Sequence, residues 1–512
     1  MPRRPILLLD LPPEILILIF YHLDLPTLTA CLATNRRVKS IIDGSTLLQY
    51  RLAAQAACVE DNPWNTKVDS AHKLLALQRR EAAFTELVPT SICSVELDDI
   101  DLDACRYALS GGVFAMMALD TRVLRWLSLA TTEPVFQQLE FPGYLQDLAL
   151  AIPEDDLLVV VLSPDPLEGQ LAFEVAVELR FYEMSTQSAH RMARDHVIPV
   201  SISGASSPVF EIETFGPNVF LLVDYFDSAE DTEVAADLRH LFIYDWKLGC
   251  LLKSFDNYST AIFLSPDVIL LAQMVSGTFE LWAISEGTVS GPDISLKLPA
   301  LTKPGKYEIL AIESNPKGYV SSQEPFRPSF DDSSVGFDIV LQFEDESVED
   351  LLLVISRRAL LQLLPAAEER GKVLLWRDWG PPISHWPDNP DGPLSDWPTT
   401  ICGHRCALVG PAGHIRLADF NPYSYKKFLQ AERDDPGVGL TTAVVSVRDK
   451  DRLIGAGLFG EEVRANLGYL VIESWTTRHL YIGIFVGENS IAGLKKPVVP
   501  GCLHTATLLT GK

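Results

Sequence analysis

Residues 7–42 read LLLDLPPEILILIFYHLDLPTLTACLATNRRVKSII and hold the most specific pattern in the sequence. The segment DLPPE at 10–14 predicts a helix start, because proline is tolerated in the first turn and acidic residues favour the positive end of the helix dipole. Residues 15–23 are apolar on almost every side, which predicts a helix that is buried all round. Asp24 is a good N-cap for a second helix, and Asp43-Gly44 ends a third. Three helices this short form a core that is marginal alone.

This pattern resembles the F-box. The shared features are the opening at Leu11 to Glu14, the first helix ending at Phe20 to Leu23, the second start at Asp24 to Leu28, and Asn35 to Val38. The resemblance is confined to the 7–42 stretch. It implies docking to the Skp-family adaptor of a cullin–RING ubiquitin ligase, while the region beyond binds a target protein.

The resemblance and the apolar surface of the first helix together predict the adaptor contacts. These are Leu11, Pro12, Ile15, Leu16, Ile19, Phe20, Leu23, Leu28 and Val38. A core of three short helices cannot bury so many apolar side chains, and rows at i and i+4 share one helix face. Burying about five of them contributes roughly 8–15 kcal/mol, comparable with the cost of association. Packing against the helices at 45–88 is the alternative.

Composition restricts the class of protein. The chain has 512 residues, of which 47% are hydrophobic and 21% charged, so it is globular and large enough for more than one unit. A net charge of −26 argues against nucleic acid and anionic membranes as partners. Eight scattered cysteines without a CxxC pair are typical of free thiols in a reducing compartment.

Targeting signals are weak in this sequence. Charged residues and prolines interrupt the N-terminal apolar run, and no small-residue cleavage site follows, so we do not interpret it as a signal peptide. The best candidate for a membrane span, 351–364, carries Arg357 and Arg358 in its middle. We therefore expect a protein of the cytoplasm, the nucleus or both.

The pattern of apolar and turn-forming residues divides the sequence into three parts. Ser45 and Ser70 are predicted caps of two further helices, so a helical region continues to about residue 88. From Ile92 onward short strand-like runs alternate with turn residues, and the stretch at 360–370 is the best later helix. We predict an F-box at 1–44, a helical linker or support at 45–90, and a β-propeller-like binding domain at 91–512.

A weak internal repeat supports the propeller. Segments that begin at 123, 178, 240, 279 and 414 each place apolar or aromatic residues before a polar turn. The copy YDWKLG at 244–249 resembles the Trp-Asp element of WD-type repeats. Many short strands favour a closed all-β architecture, and the length suits six to eight blades of irregular size. The predicted fold class is α+β multidomain.

Motifs that could carry chemistry are incomplete. GAGLFG at 455–460 matches GxGxxG without a following helix, and we interpret it as a hairpin turn. DIDLD at 99–103 opens like a calcium loop but lacks its glycine and final glutamate, and an edge strand fits better. Cys402, His404, Cys406 and His414 do not have standard zinc spacing, and we interpret them as a buried β pair of cysteines plus an exposed histidine. We predict no catalytic residue, no cofactor and no metal.

Two segments are predicted to be loops outside the core. Residues 321–335 are polar, and 380–400 are rich in proline and contain Trp386 and Trp397. The second loop either recognises a partner or is structural, with its tryptophans covering a blade.

Three functional hypotheses follow. The first is a non-catalytic subunit that recognises the substrate of a cullin–RING ligase, and its target is unknown. The second is a propeller interaction scaffold with a degenerate F-box that binds no ligase, supported by Val38 at a position where an aromatic residue is common. The third is an enzyme that uses the glycine turn at 455–460.

Overall fold

The structure of the protein is a computed structural model, in which these residues are described: 8–62, 65, 67–88, 91–97, 105–129, 131, 134–167, 174–203, 207–226, 239–273, 276–285, 288–289, 291–312, 314–315, 325–364, 370–387, 401–409, 415–434, 443–448, 452–455, 457–474, 481–495 and 504–510.

The chain begins with a helical region. It contains a 3-10 turn (Leu8–Asp10), α1 (Pro13–Tyr21), α2 (Leu25–Thr34), α3 (Arg36–Gly44), α4 (Thr46–Ala56), the short strand β1 (Val59–Asp61) and α5 (Ser70–Glu86). The helices follow the predicted order, but β1 was not predicted, since the sequence predicts a helical region at 45–90.

Side chains cap four of these helices. The Asp24 carboxylate accepts from the Thr27 amide at 2.8 Å, and the Ser45 hydroxyl accepts from the Leu48 amide at 3.4 Å, so both predicted caps are confirmed. The predicted cap of α5 is wrong by one residue. Asp69 has an extended backbone and its carboxylate accepts from the Ala71 amide at 3.0 Å, which makes Ser70 the first helical residue.

The first four helices share one small core. Its buried members are Leu16, Phe20, Leu28, Val38, Ile42 and Leu48. Helix α1 contributes two of them, but Ile15 is 43% exposed and Leu18 is 55% exposed. The prediction that α1 is buried all round is therefore wrong. The other helices cover one side of α1 only.

The β region opens with β2 (Ser91–Leu97). The first blade then comprises β3 (Cys105–Ser110), β4 (Val113–Ala118), β5 (Thr121–Ser128) and the first part of β6 (Gln137–Ala151). The second part of β6 begins the second blade and is followed by α6 (Ile152–Asp155), β7 (Leu157–Ser163), β8 (Glu174–Glu183), β9 (Ser188–Ala189) and β10 (Val197–Ser203). The third blade is β11 (Ser207–Phe215), β12 (Asn218–Phe226), β13 (His240–Asp245) and β14 (Cys250–Asp256).

The next two blades are longer in sequence. The fourth is β15 (Tyr258–Ser265), β16 (Val268–Gln273), β17 (Thr278–Ser285), β18 (Thr288–Val289) and β19 (Ile294–Lys297). Then come β20 (Gly305–Ile312), β21 (Ser314–Asn315), β22 (Phe326–Pro328), β23 (Ser334–Phe343), β24 (Val348–Ser356), α7 (Arg357–Gln362), β25 (Lys372–Leu374), α8 (Trp376–Trp379) and β26 (Ser384–His385). The fifth blade has the order β20-β23-β24-β26.

The last two blades differ from the regular pattern. Their elements are β27 (Ile401–Cys402), β28 (Arg405–Val409), β29 (Ile415–Asp419), α9 (Pro422–Asp434), β30 (Ala443–Arg448), β31 (Arg452–Leu453), β32 (Arg464–Ala465), β33 (Tyr469–Ser474), β34 (Tyr481–Val486), β35 (Ser490–Lys495) and β36 (His504–Thr510). The sixth blade is β27-β28-β29-β33, with β30 added at its outer edge. The seventh blade is β34-β35-β36-β2.

Strand β2 closes the propeller. It pairs antiparallel with β36, from Ser91 opposite Thr510 to Leu97 opposite His504, so the outer strand of the last blade precedes the first blade in sequence. The first and last blades also pack together, since the Phe114 and Phe485 ring centroids lie 5.4 Å apart. Within the described residues seven blades form a closed propeller, and the predicted fold class is confirmed.

The repeat found in the sequence has a structural basis. All five copies lie on the third strand of a blade, namely β5, β8, β13, β17 and β29. In the copy at 244–249 the Trp246 side chain is fully buried, and its indole nitrogen donates to the Gly216 carbonyl at 2.8 Å. The copies are irregularly spaced because the connections between strands of one blade differ in length, and because none of the five copies lies in the fifth blade.

The two candidate apolar helices of the later chain are shorter than expected. The stretch at 351–364 consists of the end of β24 followed by α7, which is Arg357–Gln362 and not 360–370; residues 365–369 lie outside the described part. In the parts of the chain that the structure describes, no helix has the length and apolar character to cross a membrane.

Candidate functional site

The predicted adaptor contacts fall into three groups by exposure. Leu16, Phe20, Leu28 and Val38 are buried; Leu11, Ile19 and Leu23 are half-buried; Pro12 and Ile15 are exposed. The buried group holds α1 to α4 together and presents no surface to a partner in this arrangement. Of the predicted set, Pro12 and Ile15 are therefore the most accessible to a docked protein.

Helix α1 has an exposed face that the sequence reasoning missed in part. Ile15, Leu18 and Tyr21 follow one another at steps of three and are 43%, 55% and 36% exposed; we call them the apolar row. Leu8, in the preceding turn, is 53% exposed. The Arg51 guanidinium lies 4.9 Å from the centre of the Tyr21 ring. A continuous apolar run has no polar face to mark the solvent side, so Leu18 could not be distinguished from Leu16.

The helical region is joined to the propeller through β1. This strand pairs antiparallel with β22, and the Ser329 amide donates to the Cys58 carbonyl at 2.8 Å. The Asn421 side-chain amide donates to the Ala56 carbonyl, also at 2.8 Å. The prediction that 321–335 is a loop outside the core is thus wrong for 326–328, which form a strand with β1. It is also wrong for Ser334 and Val335, which are buried at the start of β23.

A buried ion pair lies at the same junction. Glu81 of α5 pairs with Arg80 at 2.7 Å and with Arg405, the first residue of β28. Burial raises the pKa of Glu81, but Arg405 and Arg80 outweigh it and lower the pKa to about 2. The Arg405 guanidinium also stacks 4.3 Å from the centre of the Phe84 ring. The charge on Glu81 is therefore part of what attaches α5 to the propeller.

All of these contacts lie on one face of the propeller. Strand β22 lies in the connection between the first and second strands of the fifth blade. Arg405 begins the second strand of the sixth blade, directly after the same kind of connection, and Asn421 follows a third strand. In a propeller these connections share a face, opposite to the loops that join second and third strands. Phe84 and Leu87 of α5 add apolar contacts to the sixth and seventh blades. The helical region is thus fixed at one face beside blades five to seven.

The junction encloses a small polar cavity. Its volume is about 30 Å³, and its lining includes Cys58, Arg80, His404, Asp419 and Glu488. This is space for one or two water molecules. Burial, together with Arg405, lowers the pKa of His404 to about 4, so its ring is neutral at physiological pH.

The residues considered as metal ligands are not grouped into a metal site among the described residues. Cys402 and Cys406 are buried on β27 and β28, as predicted for a buried β pair, and burial raises the pKa of both thiols. Among the residues that the structure describes, no group of three or more His, Cys, Asp or Glu could hold a metal ion. His414 and the acidic segment at 99–103 lie outside the described residues.

The described residues of the glycine segment, 455 and 457–460, lie in a turn region, as predicted. Strands β31 and β32 pair antiparallel on either side of it, and the Ile454 amide donates to the Val463 carbonyl at 2.9 Å. A turn and strands follow in the described residues, whereas a dinucleotide site needs a helix there.

The proline-rich segment is anchored at its start. Trp386 is buried, and its ring centroid is 5.5 Å from that of Trp376. It covers the fourth and fifth blades, as the structural interpretation of this loop expects. Trp397 lies outside the described residues.

A comparison with known protein families identifies part of the helical region. Residues 8–53 match the family model described as F-box-like. This segment is an F-box-like domain. It contains α1 to α3 and most of α4, which is consistent with the core that these helices share. No curated protein matches the sequence.

Several solved structures resemble the chain at low identity. The β-propeller domain of the trilobed protease from Pyrococcus furiosus is 10% identical, with 79% of this chain and 92% of that chain covered and a TM-score of 0.39. The WD40 domain of SCAP from fission yeast is 12% identical, with 80% and 82% covered and a TM-score of 0.30. The acylaminoacyl peptidase of Pyrococcus horikoshii is 9% identical, with 76% and 48% covered and a TM-score of 0.37. The strand order, and not these likenesses, identifies the propeller.

Proposed function

We propose that this protein is a substrate-recognition subunit of a cullin–RING ubiquitin ligase. The F-box-like domain docks to a Skp-family adaptor, and the propeller binds a target protein. The observation that carries the proposal is the apolar row, which lies exposed on a domain of the F-box-like type. The propeller serves as a binding surface and needs no catalytic residue of its own.

The energetics of the apolar row fit a partner interface. Fully burying an exposed apolar side chain contributes about 1.5–3 kcal/mol. Because the row and Leu8 are 36–55% exposed, a partner can bury only about half of that surface, which supplies roughly 3–6 kcal/mol gross. Association costs at least about 4 kcal/mol, and polar groups at the rim add specificity. Half-buried Leu11 and Ile19 border the row and extend the interface.

Co-purification with a Skp-family adaptor tests the proposal. The intact chain should bind at micromolar protein, and Leu18→Asp should abolish binding because it places a charge at the centre of the interface. Leu75→Asp is the matched control, since Leu75 is 47% exposed on α5, outside the row. Phe20→Asp is not informative, because Phe20 is buried and the variant would unfold the domain.

Failure of the intact chain to bind would support the scaffold alternative. Val38 does not favour that alternative, since its side chain is buried in the core of α1 to α4. We further propose the divisions 1–44, 45–90 and 91–512, and residence in the cytoplasm or nucleus. Proteins that accumulate when residues 1–44 are deleted would identify the target.

A further inference from the structure

The charge of the F-box-like domain differs from that of the rest of the chain. Residues 8–53 contain four acidic and four basic residues, so the net charge of −26 lies outside the domain. Three of the four basic residues, Arg36, Arg37 and Lys39, occur within four positions at the start of α3, and all three are exposed. We call them the basic row. Among the described residues, none of them is paired with a carboxylate.

The position of the basic row is unfavourable for α3 itself. The amino end of a helix carries partial positive charge, so Arg36 and Arg37 at its first two positions are repelled by it. Asp43 is similarly misplaced near the negative end. The helix is instead started by Asn35, whose side-chain oxygen accepts from the Arg37 amide at 2.7 Å. The cationic side chains contribute nothing to folding that the structure shows.

We propose that the basic row binds an acidic segment of the same adaptor that covers the apolar row. This inference rests on the proposed function and specifies the chemistry of the partner. Carboxylates on the adaptor pair with Arg36 and Arg37, whose guanidinium groups stay charged at all physiological pH values. Opposite charges at an interface rim accelerate encounter and select the partner.

The net charge of the chain explains why such a row is useful. An acidic adaptor is repelled by a chain that carries −26 overall, and a local basic patch gives the approaching partner an attractive site. The apolar row then supplies the contact that holds it. The basic row thus attracts the partner and the apolar row holds it, and both rows belong to one small domain.

Charge reversal separates this role from a structural one. In the full-length chain, Arg36→Glu with Arg37→Glu should weaken adaptor binding about tenfold near 0.1 M salt, mainly through a slower association rate. The difference from wild type should almost vanish near 1 M salt, where the screening length is about 3 Å. The same substitutions place acidic residues at the amino end of α3, so thermal stability should stay equal or rise.

The matched control is Lys426→Glu with Lys427→Glu, an adjacent exposed basic pair on α9. It should leave adaptor affinity within twofold of wild type. The inference is overturned if the Arg36/Arg37 variant binds as tightly as wild type, or if both double variants weaken binding equally. Loss of binding in Leu18→Asp with no effect of the basic row would retain the proposed function and reject this inference alone. An intact chain that binds no adaptor would reject both.

Discussion

Removing the charge of Glu81 should loosen the attachment of α5 to the propeller. Glu81→Gln keeps the shape of the side chain and leaves Arg80 and Arg405 without their shared carboxylate. Both guanidinium groups are nearly buried, at 6% and 12% side-chain exposure, and Glu81 itself is 24% exposed. Arg405 would retain only the longer contact between its Nε and the Asp419 carboxylate, at 3.9 Å, so buried positive charge would be poorly compensated, which is the costly case.

The size of the effect follows from the pKa of Glu81. The ordinary value is 4.5 and the value in the fold is about 2, which corresponds to about 3 kcal/mol. Because the folded-state pKa is lowered, this stabilisation is fully present above pH 4.5 and is lost as the pH falls toward 2. The Glu81→Gln variant should not lose stability in this way as the pH falls, since glutamine does not titrate.

Hydrogen exchange of the α5 amides measures the effect. In wild type the opening free energy of residues 70–86 should decrease between pH 4.5 and 2, and at pH 7 Glu81→Gln should lower it by about 3 kcal/mol. Glu86→Gln, an exposed substitution on the same helix, is the control. Combining Glu81→Gln with Arg405→Met should give a coupling energy above about 0.5 kcal/mol. Unchanged protection in the variant would refute the reasoning.

Two further predictions concern the propeller. Burial, with Asp147 and Glu213 nearby, raises the pKa of Glu211 to about 8. Between about pH 4.5 and pH 8 the unfolded chain therefore releases a proton that the folded chain retains, so the free energy of unfolding should decrease as the pH rises through this range. Glu211→Gln should flatten this dependence in thermal melts at pH 5 and pH 9; an identical slope in both chains would contradict it. A chain beginning at residue 98 should melt at a lower temperature and aggregate more than one beginning at 91, because only the latter keeps β2 to cover β36. Equal melting curves would show that β2 is dispensable.

Local sequence patterns predicted the helices and the class of fold. Asp24 and Ser45 are recognisable caps because they stand directly before apolar periodic segments. The five repeat copies could be found because the third strand of a blade packs between neighbouring blades and keeps its aromatic and apolar residues. These signals come from contacts close in sequence or repeated along it.

The junction between helices and propeller could not be predicted. Glu81 and Arg405 are 324 positions apart, and neither residue type signals a buried pair in its own segment. Strand β22 lies in a polar, proline-containing segment, and its pairing with β1 involves only the three residues Phe326–Pro328. Such a strand is too short for an apolar alternation. The exposed face of α1 was missed for a related reason, since its solvent side is defined by where α4 packs.

The pairing of β2 with β36 has a consequence for biosynthesis. About 400 residues separate the two strands, and ribosomes add roughly 5–20 residues per second. The strand β36 is therefore synthesised roughly 20–80 s after β2, and β2 remains unpaired during that interval. During that time the F-box-like domain can already be folded, while β2 and the inner strand of each new blade remain uncovered. An early-docked adaptor would meet a nascent chain whose target-binding part is still incomplete. Chaperone demand should therefore concentrate in this interval, when unpaired strand edges are most prone to aggregation.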